Sequence, residues 1–220
     1  MGKSFAWRYI LLSFLPTLKC KSNLSSSIFA KISRQKRLAN YYALKSSNII
    51  YYHNAPQYFA RFSDFIPFFK NSQGETVISS HVKPIFVRES RDTRLILSVL
   101  NSSLFYWYNL LCSNCRDLTL REISNFPISI DNINDSNKEG LMRLSQNLMR
   151  DFNKNANRKT ANYKATGTVV YDEYFPKLSK SIIDEIDKVL AKHYGFTEEE
   201  LDFIINYDIK YRMGDELNEE

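Results

Sequence analysis

Glycine is scarce in this sequence, and its glycines lie far apart. The 220 residues include only six glycines, and no pair of them has the G-x-G or P-loop spacing that cradles phosphates and dinucleotides. This spacing excludes the usual glycine-rich loops for nucleotides, and we predict that the chain itself binds no cofactor. The six positions are Gly2, Gly74, Gly140, Gly167, Gly195 and Gly214.

Cysteine is rare too, with three residues in the chain. An odd number of cysteines in a chain of this length predicts reduced thiols and a cytoplasmic protein. Cys112 and Cys115 form a C-x-x-C pair, but only Cys20 and three histidines remain to complete a zinc site, so we predict no metal. No spacing indicates a Ser-His-Asp or Cys-His catalytic group, and the sequence therefore favours a binding protein.

Long hydrophobic runs are missing as well. No run approaches the ~18 apolar residues that a helix needs to span a bilayer, so we predict no transmembrane helix and no membrane partner. Lys3 and Arg8 before "YILLSFL" resemble the start of a secretory signal, but the apolar run ends at Pro16 and no small-residue cleavage site follows. We predict no signal peptide and leave residues 1–26 unassigned.

Acidic residues are under-represented in the first half of the chain only. Residues 1–125 hold 17 Lys and Arg against 6 Asp and Glu, whereas residues 126–220 hold 13 against 18. A basic half beside an acidic half favours a polyanion such as nucleic acid as the partner of the first half. A solvated basic surface explains the same charges equally well.

The pattern of apolar residues predicts an α+β fold. Strand-like segments at 49–53, 58–69 and 76–87 indicate a twisted, mostly antiparallel sheet, with a hairpin turn at Gly74 between the last two. Residues 90–111 predict a buried helix, because this segment is apolar on every side after its restart at the capping residue Ser102. The segment "LTLREISNFPISI" predicts a further strand that ends at Pro127.

We therefore divide the chain into a sheet-containing domain at 27–130, opened by a serine-capped helix at 27–38, and a helical C-terminal region at 131–220. Helices at 138–152 and 176–194 of that region flank a polar, flexible loop at 153–168. Gly195 fits the left-handed end of a helix, and Thr197 with Glu200 predicts a capping box that starts the next one.

The stretch "NIIYYHNAPQYFARFSDFIPFF", residues 48–69, has the most unusual composition. It combines eight Phe and Tyr residues with His53, Asn54, Gln57 and Arg61. Rings that stack on bases, beside amides and guanidinium groups that bind base edges, are typical of nucleic-acid recognition. Most of the Phe side chains also fit a core, but four buried polar side chains would each need a partner. We therefore predict that "HNAPQ" is a surface loop.

Four segments give the chain a resemblance to a known family. They resemble the TaqI-like specificity domain, the C-terminal target-recognition portion of type IIG restriction-modification enzymes and adenine-specific DNA methyltransferases. The resemblance covers roughly residues 28–214. It is carried by "IIYYHNAPQYFARFSDFIPFF", "SSHVKPIFV", "LILSVLNSSLFYWYNLLCSNCRDLTLREISNFPI" and "IDEIDKVLAKHYGFTEEELDFIINYDIKYRMG".

The resemblance implies a module that docks on double-stranded DNA and recognises a short sequence. A methyltransferase domain or subunit placed N-terminally would methylate adenine from S-adenosylmethionine, and a fused nuclease would add Mg²⁺ and cleavage. The N-P-P-Y motif of the methyltransferase is absent here. Residues 1–26 match nothing in the family, which is the pattern of a truncated gene product, a split subunit or a fragment.

The resemblance also implies roles for particular side chains. We expect Arg61→Ala to relax sequence preference and Lys83→Ala to weaken binding to all DNA equally. The predicted base contacts are His53, Asn54, Gln57, Tyr58 and Arg61, and the predicted phosphate contacts are Lys45, Lys70, Lys83, Arg88 and Arg91.

Two other functions remain open. Asp202, Asp208 and Lys210 offer the carboxylates and lysine of a metal-dependent nuclease, although they fall on a predicted helix without a matching strand. A fragment that folds and contacts other proteins without binding DNA is the other alternative.

Overall fold

The structure is a computed structural model that describes residues 22–56, 58–113, 115–165 and 167–214. Its first helix, α1 (Asn23–Ile32), begins after Ser22, whose hydroxyl accepts a hydrogen bond from Ser25 N. The serine cap is as predicted, but the helix begins and ends earlier than the predicted range 27–38.

Helix α1 is fastened to the C-terminal part of the chain. Lys31 Nζ donates to Glu200 Oε2 at 2.6 Å and to Gly195 O at 2.7 Å. Burial opposes the ionisation of Glu200, but hydrogen bonds from Lys31 and Ser27 outweigh it and lower the pKa of this carboxyl group. The contact joins residues far apart in sequence, so it holds helix α1 against the turn between the last helices of the described chain.

The first sheet contains β1 (Ile49–His53), β2 (Phe62–Ser63) and β4 (Val82–Phe86), in the antiparallel order β2–β1–β4. Ile50 and Tyr52 of β1 are buried, and the residues between them are half-buried. This alternation turns one face of the sheet to the core and the other outward. The predicted strands at 58–69 and 76–87 are therefore shorter than expected, and part of each is irregular.

Helices α2 (Ser90–Leu100) and α3 (Ser103–Cys112) supply many of the buried residues of the core. The predicted restart is confirmed, because Ser102 Oγ accepts a hydrogen bond from Phe105 N and starts α3. No single helix in the described ranges is long and apolar enough to cross a membrane; only α2 and α3 together, bent by 72°, have that length and composition.

The prediction of a strand before Pro127 is wrong, because the segment contains a helix instead. Residues Leu120–Ser124 form helix α4, and Thr119 with Glu122 forms a capping box at its start. The alternation of apolar residues that suggested a strand reflects burial of Ile123, Phe126 and Ile128 instead.

The polar segment predicted as a loop at 153–168 is also different. Helix α5 (Asp135–Lys154) is followed by β5 (Asn157–Tyr163) and β6 (Gly167–Glu173), which pair antiparallel in the second sheet. Strand β3 (Phe69–Lys70) joins the other edge of β6. Most of β5 is exposed on both faces, so it lacks the apolar alternation by which a strand is recognised in sequence.

Gly167 begins β6 with a φ of +76°, and a Cβ added there would lie 3.1 Å from Ser72 Cβ. We expect Gly167→Ala to lower the free energy of unfolding by about 1 kcal/mol, since alanine disfavours positive φ. Gly140→Ala, in helix α5 with nothing within 4 Å of the added Cβ, is the matched control. It should instead stabilise by about 0.5–1 kcal/mol. Urea unfolding of both variants tests the pair, and equal signs would contradict it.

The C-terminal helices are α6 (Lys180–Tyr194), α7 (Glu198–Ile205) and α8 (Ile209–Met213). Gly195 ends α6 with a φ of +67°, and Thr197 with Glu200 forms the capping box of α7, so both predictions are confirmed.

One hydrophobic core runs through the described residues. It includes Ile28 of α1, Ile50 of β1, Trp107 of α3, Leu148 of α5 and Ile186 of α6. Residues of the predicted domain at 27–130 and of the predicted C-terminal region therefore pack together. The fold class is α+β, as predicted, with two small antiparallel sheets set against helices.

Candidate nucleic-acid interface

A groove of about 1010 Å³ lies between the outward face of the first sheet and the second sheet. His53 and Val82 line it from the first sheet, Arg61 from the residue before β2, and Tyr171 and Glu173 from the second sheet. Because β1 turns Ile50 and Tyr52 to the core, His53 faces the other way. The groove is therefore positioned by the same strand alternation that builds the core.

The segment 53–58, here called the 53–58 loop, leaves β1 at the mouth of the groove. Asn54 N donates to His81 O at 2.9 Å, and Asn54 O accepts from Leu118 N at 2.8 Å. The His53 and His81 rings stack with centroids 5.6 Å apart, and His81 Nδ1 lies 3.1 Å from Asn54 Oδ1. Backbone contacts on both sides thus fix the start of the loop.

The predicted base-contacting side chains of this loop are accessible. His53 and Asn54 are half-buried, and Tyr58 is 50% exposed. Gln57, also predicted to contact bases, lies outside the described residues. The accessibility of His53, Asn54 and Tyr58 agrees with the predicted surface loop, and their contact with bases stays a prediction.

Arg61 lies deeper than the loop. Its guanidinium carbon is 4.7 Å from the centroid of the Tyr174 ring, and burial lowers its pKa, although a guanidinium stays charged at neutral pH. Among the described residues, no acceptor bonds its side chain and no carboxylate pairs with it. Burial and the Arg61 charge lower the pKa of His53, so that ring is neutral at pH 7.

The second wall of the groove carries two acidic side chains that are already neutralised. Asp172 accepts hydrogen bonds from the Nε and Nη2 atoms of Arg158, and Glu173 Oε1 lies 3.0 Å from Lys159 Nζ. Arg158 also lies over the Phe68 ring, 3.6 Å from its centroid. These pairs leave the wall with little net charge.

Arg212 of α8 closes the base of the groove. Its guanidinium lies 4.3 Å from the Phe59 ring centroid and 4.9 Å from that of Tyr106, and both of its Nη atoms donate to Ser103 Oγ at 3.1 Å. Behind Ser103, the buried Asp187 accepts hydrogen bonds from Ser103 N at 3.0 Å and Leu104 N at 3.1 Å. The base of the groove is thus a buried polar network.

The predicted phosphate contacts fall into two groups. Lys83 pairs in register with the core-facing Tyr52, and Lys70 follows the groove-lining Phe69 on β3. Because successive strand residues point to opposite faces, both lysines point away from the groove. Lys45, Arg88 and Arg91 lie beyond the other end of β4, where Ala43 N bonds Phe86 O. At ~3.4 Å per residue, Arg88 is about 20 Å along the chain from Val82. None of these five cations lines the groove, although Lys70 and Lys83 lie on strands that border it.

The aromatic stretch divides between core and groove. Phe62 is fully buried, and Phe59 and Phe65 pack at the margin of the core. Phe68 and Phe69 are half-buried and line the groove. The sequence is compatible with a core position for most of these Phe residues, but only Phe62 among them is fully buried.

Two functional features were missed in the sequence. The β5–β6 hairpin has no apolar alternation in β5, although "TVVY" in β6 has a strand composition that was available as a signal. Arg212 was missed because it reaches Ser103 across 109 positions of sequence, and no local pattern reports such a contact.

The carboxylates of the nuclease alternative lie on and after helix α7. Asp202 Oδ1 accepts a hydrogen bond from Asn206, and Asp208 has a left-handed φ of 54° just before α8. No group of three His, Cys, Asp or Glu side chains within the described ranges is placed to hold a metal ion. Cys112 is half-buried and Cys115 is exposed, and Cys20 lies outside the described residues.

Comparisons of this chain with protein-family models, with curated proteins and with solved structures found no match.

Proposed function

We propose that this chain is a sequence-specific DNA-recognition module of a restriction-modification adenine-N6 methyltransferase, with the catalytic domain outside the chain. The observation that carries the proposal is the accessibility of His53, Asn54 and Tyr58 in the 53–58 loop, with the exposed Lys83 on the neighbouring strand β4. Lys83 has no carboxylate partner in the described part of the chain.

This arrangement suits the two tasks of DNA recognition. Exposed lysines bind phosphates regardless of sequence, and amide or hydroxyl side chains on a fixed backbone distinguish base edges. Lys83 fits the first task because it is exposed and unpaired, and Asn54 and Tyr58 fit the second. Lys45, Arg88 and Arg91, at the far end of the sheet, would contact phosphates further along the duplex.

The proposal places S-adenosylmethionine in an N-terminal methyltransferase domain or subunit, because this sequence offers neither the N-P-P-Y motif nor a glycine-rich loop. The chain itself would supply the target sequence and the orientation of the DNA. A cytoplasmic location is part of the same proposal, as the odd number of cysteines predicts.

Selection from a random duplex library tests the proposal. We expect enrichment of one short motif, and Lys83→Ala should weaken all duplexes several-fold while reducing the slope of log K against log salt by about 0.9. Lys192→Ala, which removes an exposed lysine of α6, should change neither quantity. Selection without enrichment, or equal effects of both variants, would contradict the proposal.

The same library tests base discrimination. Asn54→Ala and Tyr58→Ala should flatten the selected motif while retaining most of the affinity for duplex DNA, because they remove base contacts and leave phosphate contacts. Mg²⁺-dependent cleavage by the chain would instead favour the nuclease alternative. A stably folded chain without DNA affinity would favour the interaction fragment.

A further inference from the structure

The groove between the two sheets has a shape that duplex recognition does not use. To read base pairs directly, a protein element must enter a DNA groove ~12 Å wide, so the protein surface must project outward. This groove is concave, and its volume of about 1010 Å³ is close to the upper end of sites for small ligands. Its ligand should therefore be smaller than a double helix.

Arg61 indicates the charge of that ligand. Its side chain is half-buried against Tyr174, and its five N–H donors have no acceptor among the described residues. Because the described part of the chain does not use these donors, they can bind an acceptor from outside it. A phosphate or carboxylate matches the planar, bidentate geometry of a guanidinium.

The opposite wall would not repel an anion. Asp172 and Glu173 both line the groove, but each is paired with a basic residue of β5. Arg212 also lines the groove, but its Nη atoms donate to Ser103, and Asp187 offsets its charge. The unpaired charge that faces the ligand is therefore that of Arg61, which is positive.

The rings of the groove indicate the rest of the ligand. Tyr171 and Phe69 are register partners on neighbouring strands of the second sheet, and Tyr163, 51% exposed, ends the adjacent strand. Flat rings of this kind stack on nucleobases without regard to their identity. A phosphate for Arg61 and a base for these rings together describe a nucleotide.

We propose that the groove binds an unpaired nucleotide of a single DNA strand, with its phosphate on Arg61 and its base against the rings of the second sheet. The inference rests on the proposed function for its DNA context. It differs in the residues that bind, because duplex contacts are proposed for Asn54, Tyr58 and Lys83, whereas contacts with the single strand are proposed for Arg61, Tyr171 and Phe69. The 53–58 loop borders the groove as well.

Fluorescence anisotropy of the full chain with labelled dT12 tests the inference at low salt. Arg61→Gln should weaken dT12 binding at least tenfold, and Tyr171→Leu about fivefold or more, whereas Lys83-dependent duplex binding changes by less than twofold. Arg61→Lys keeps the charge but loses the planar donor pair, so it should weaken dT12 binding less than Arg61→Gln does. Arg143→Gln, an exposed arginine of α5, is the matched control and should bind as the wild type.

The outcomes separate the two proposals. Unchanged dT12 affinity in Arg61→Gln and Tyr171→Leu, with thermal midpoints of the wild type, would overturn the groove and leave duplex recognition standing. Duplex selection without a motif, together with loss of dT12 binding in these variants, would overturn the proposed function and retain the groove. If dTMP displaces labelled dT12 at the same concentration as unlabelled dT12 does, the groove binds a free nucleotide. That result would overturn the proposal that its ligand belongs to a DNA strand.

Discussion

Asp187→Ala is expected to lower the free energy of unfolding by about 3–5 kcal/mol, a large part of the stability of a domain of this size. Asp187 is 2% exposed and accepts hydrogen bonds from two backbone N–H groups at the start of α3. Its removal leaves both donors buried without a partner and removes the carboxylate that offsets the Arg212 charge. Urea unfolding at pH 7 measures the loss.

Glu185→Ala is the matched control for this variant. Glu185 lies on the same helix, and its ion pair with Lys188 is about half exposed on both sides. Exposed pairs of this kind contribute ~0–1 kcal/mol, so the control should stay near the wild type. A cost of Asp187→Ala no larger than that of the control would show that the network around Ser103 does not hold α3.

The cost of Asp187→Ala should also depend on pH. Burial raises the pKa of Asp187 from 3.8 to about 6, against the opposing effect of the hydrogen bonds from Leu104 and Ser103. A raised pKa in the folded state contributes stability below pH 3.8 that is lost as the pH rises through about 6. The difference between the wild type and Asp187→Ala should therefore be larger at pH 4.5 than at pH 7.5. A difference that shrinks on acidification would show that the fold favours the ionised carboxylate.

The sequence predicted helix ends better than it predicted strands. Ser102, Gly195 and the Thr197–Glu200 pair are local signals, because a cap depends on residues three or four positions apart. The same T-x-x-E pattern occurs at Thr119 and Glu122, where the β-branched residues around it favoured a strand. The capping pattern was present in the sequence there, but the β-branched residues were given more weight.

Strand β5 could not be predicted by the same means. Its residues are exposed on both faces, so neither a period of two nor a run of apolar residues marks it. Its register is instead fixed by pairing with β6 over seven residues. Pairing with another strand is a non-local property, and the polar composition alone predicts a loop.

The candidate site divides in the same way. His53, Asn54 and Tyr58 were found because a loop with polar and aromatic residues is recognisable from its neighbours in sequence. The distribution of charge pointed to a basic surface, but it could not show that Lys83 lies near the start of β4 and Arg88 beyond its end. Arg61 has a position that no pattern in sequence predicts, because Tyr174, the ring over which it lies, follows β6 far along the chain.

The second large effect is expected at Asn101, which joins the core to the groove. Asn101 Oδ1 accepts from Phe62 N at 3.0 Å, and its Nδ2 donates to Phe62 O at 3.1 Å and to Leu97 O at 2.8 Å. Asn101→Leu keeps the approximate volume but leaves the Phe62 backbone groups buried and unpaired. We expect a loss of about 2–4 kcal/mol by urea unfolding.

Asn109 of α3 provides the matched control for Asn101→Leu. It is 8% exposed, but its Oδ1 has no hydrogen-bond partner. Asn109→Leu therefore breaks no bond to that oxygen and should cost less than ~1 kcal/mol or stabilise the protein. Similar losses for both variants would mean that shape, and not the hydrogen bonds to Phe62, determines the cost.

Asn101→Leu should also weaken the groove. Phe62 directly follows Arg61, so the backbone bonds of Asn101 hold β2, and with it the Arg61 backbone, against α2. Without them the guanidinium loses its fixed position over Tyr174, and dT12 binding should fall even where the variant remains folded. Asn109→Leu has no path to Arg61 through such bonds and should leave dT12 affinity unchanged. Because the two variants replace the same residue type in neighbouring helices, a difference between them in binding would trace the position of Arg61 to the hydrogen bonds of Asn101.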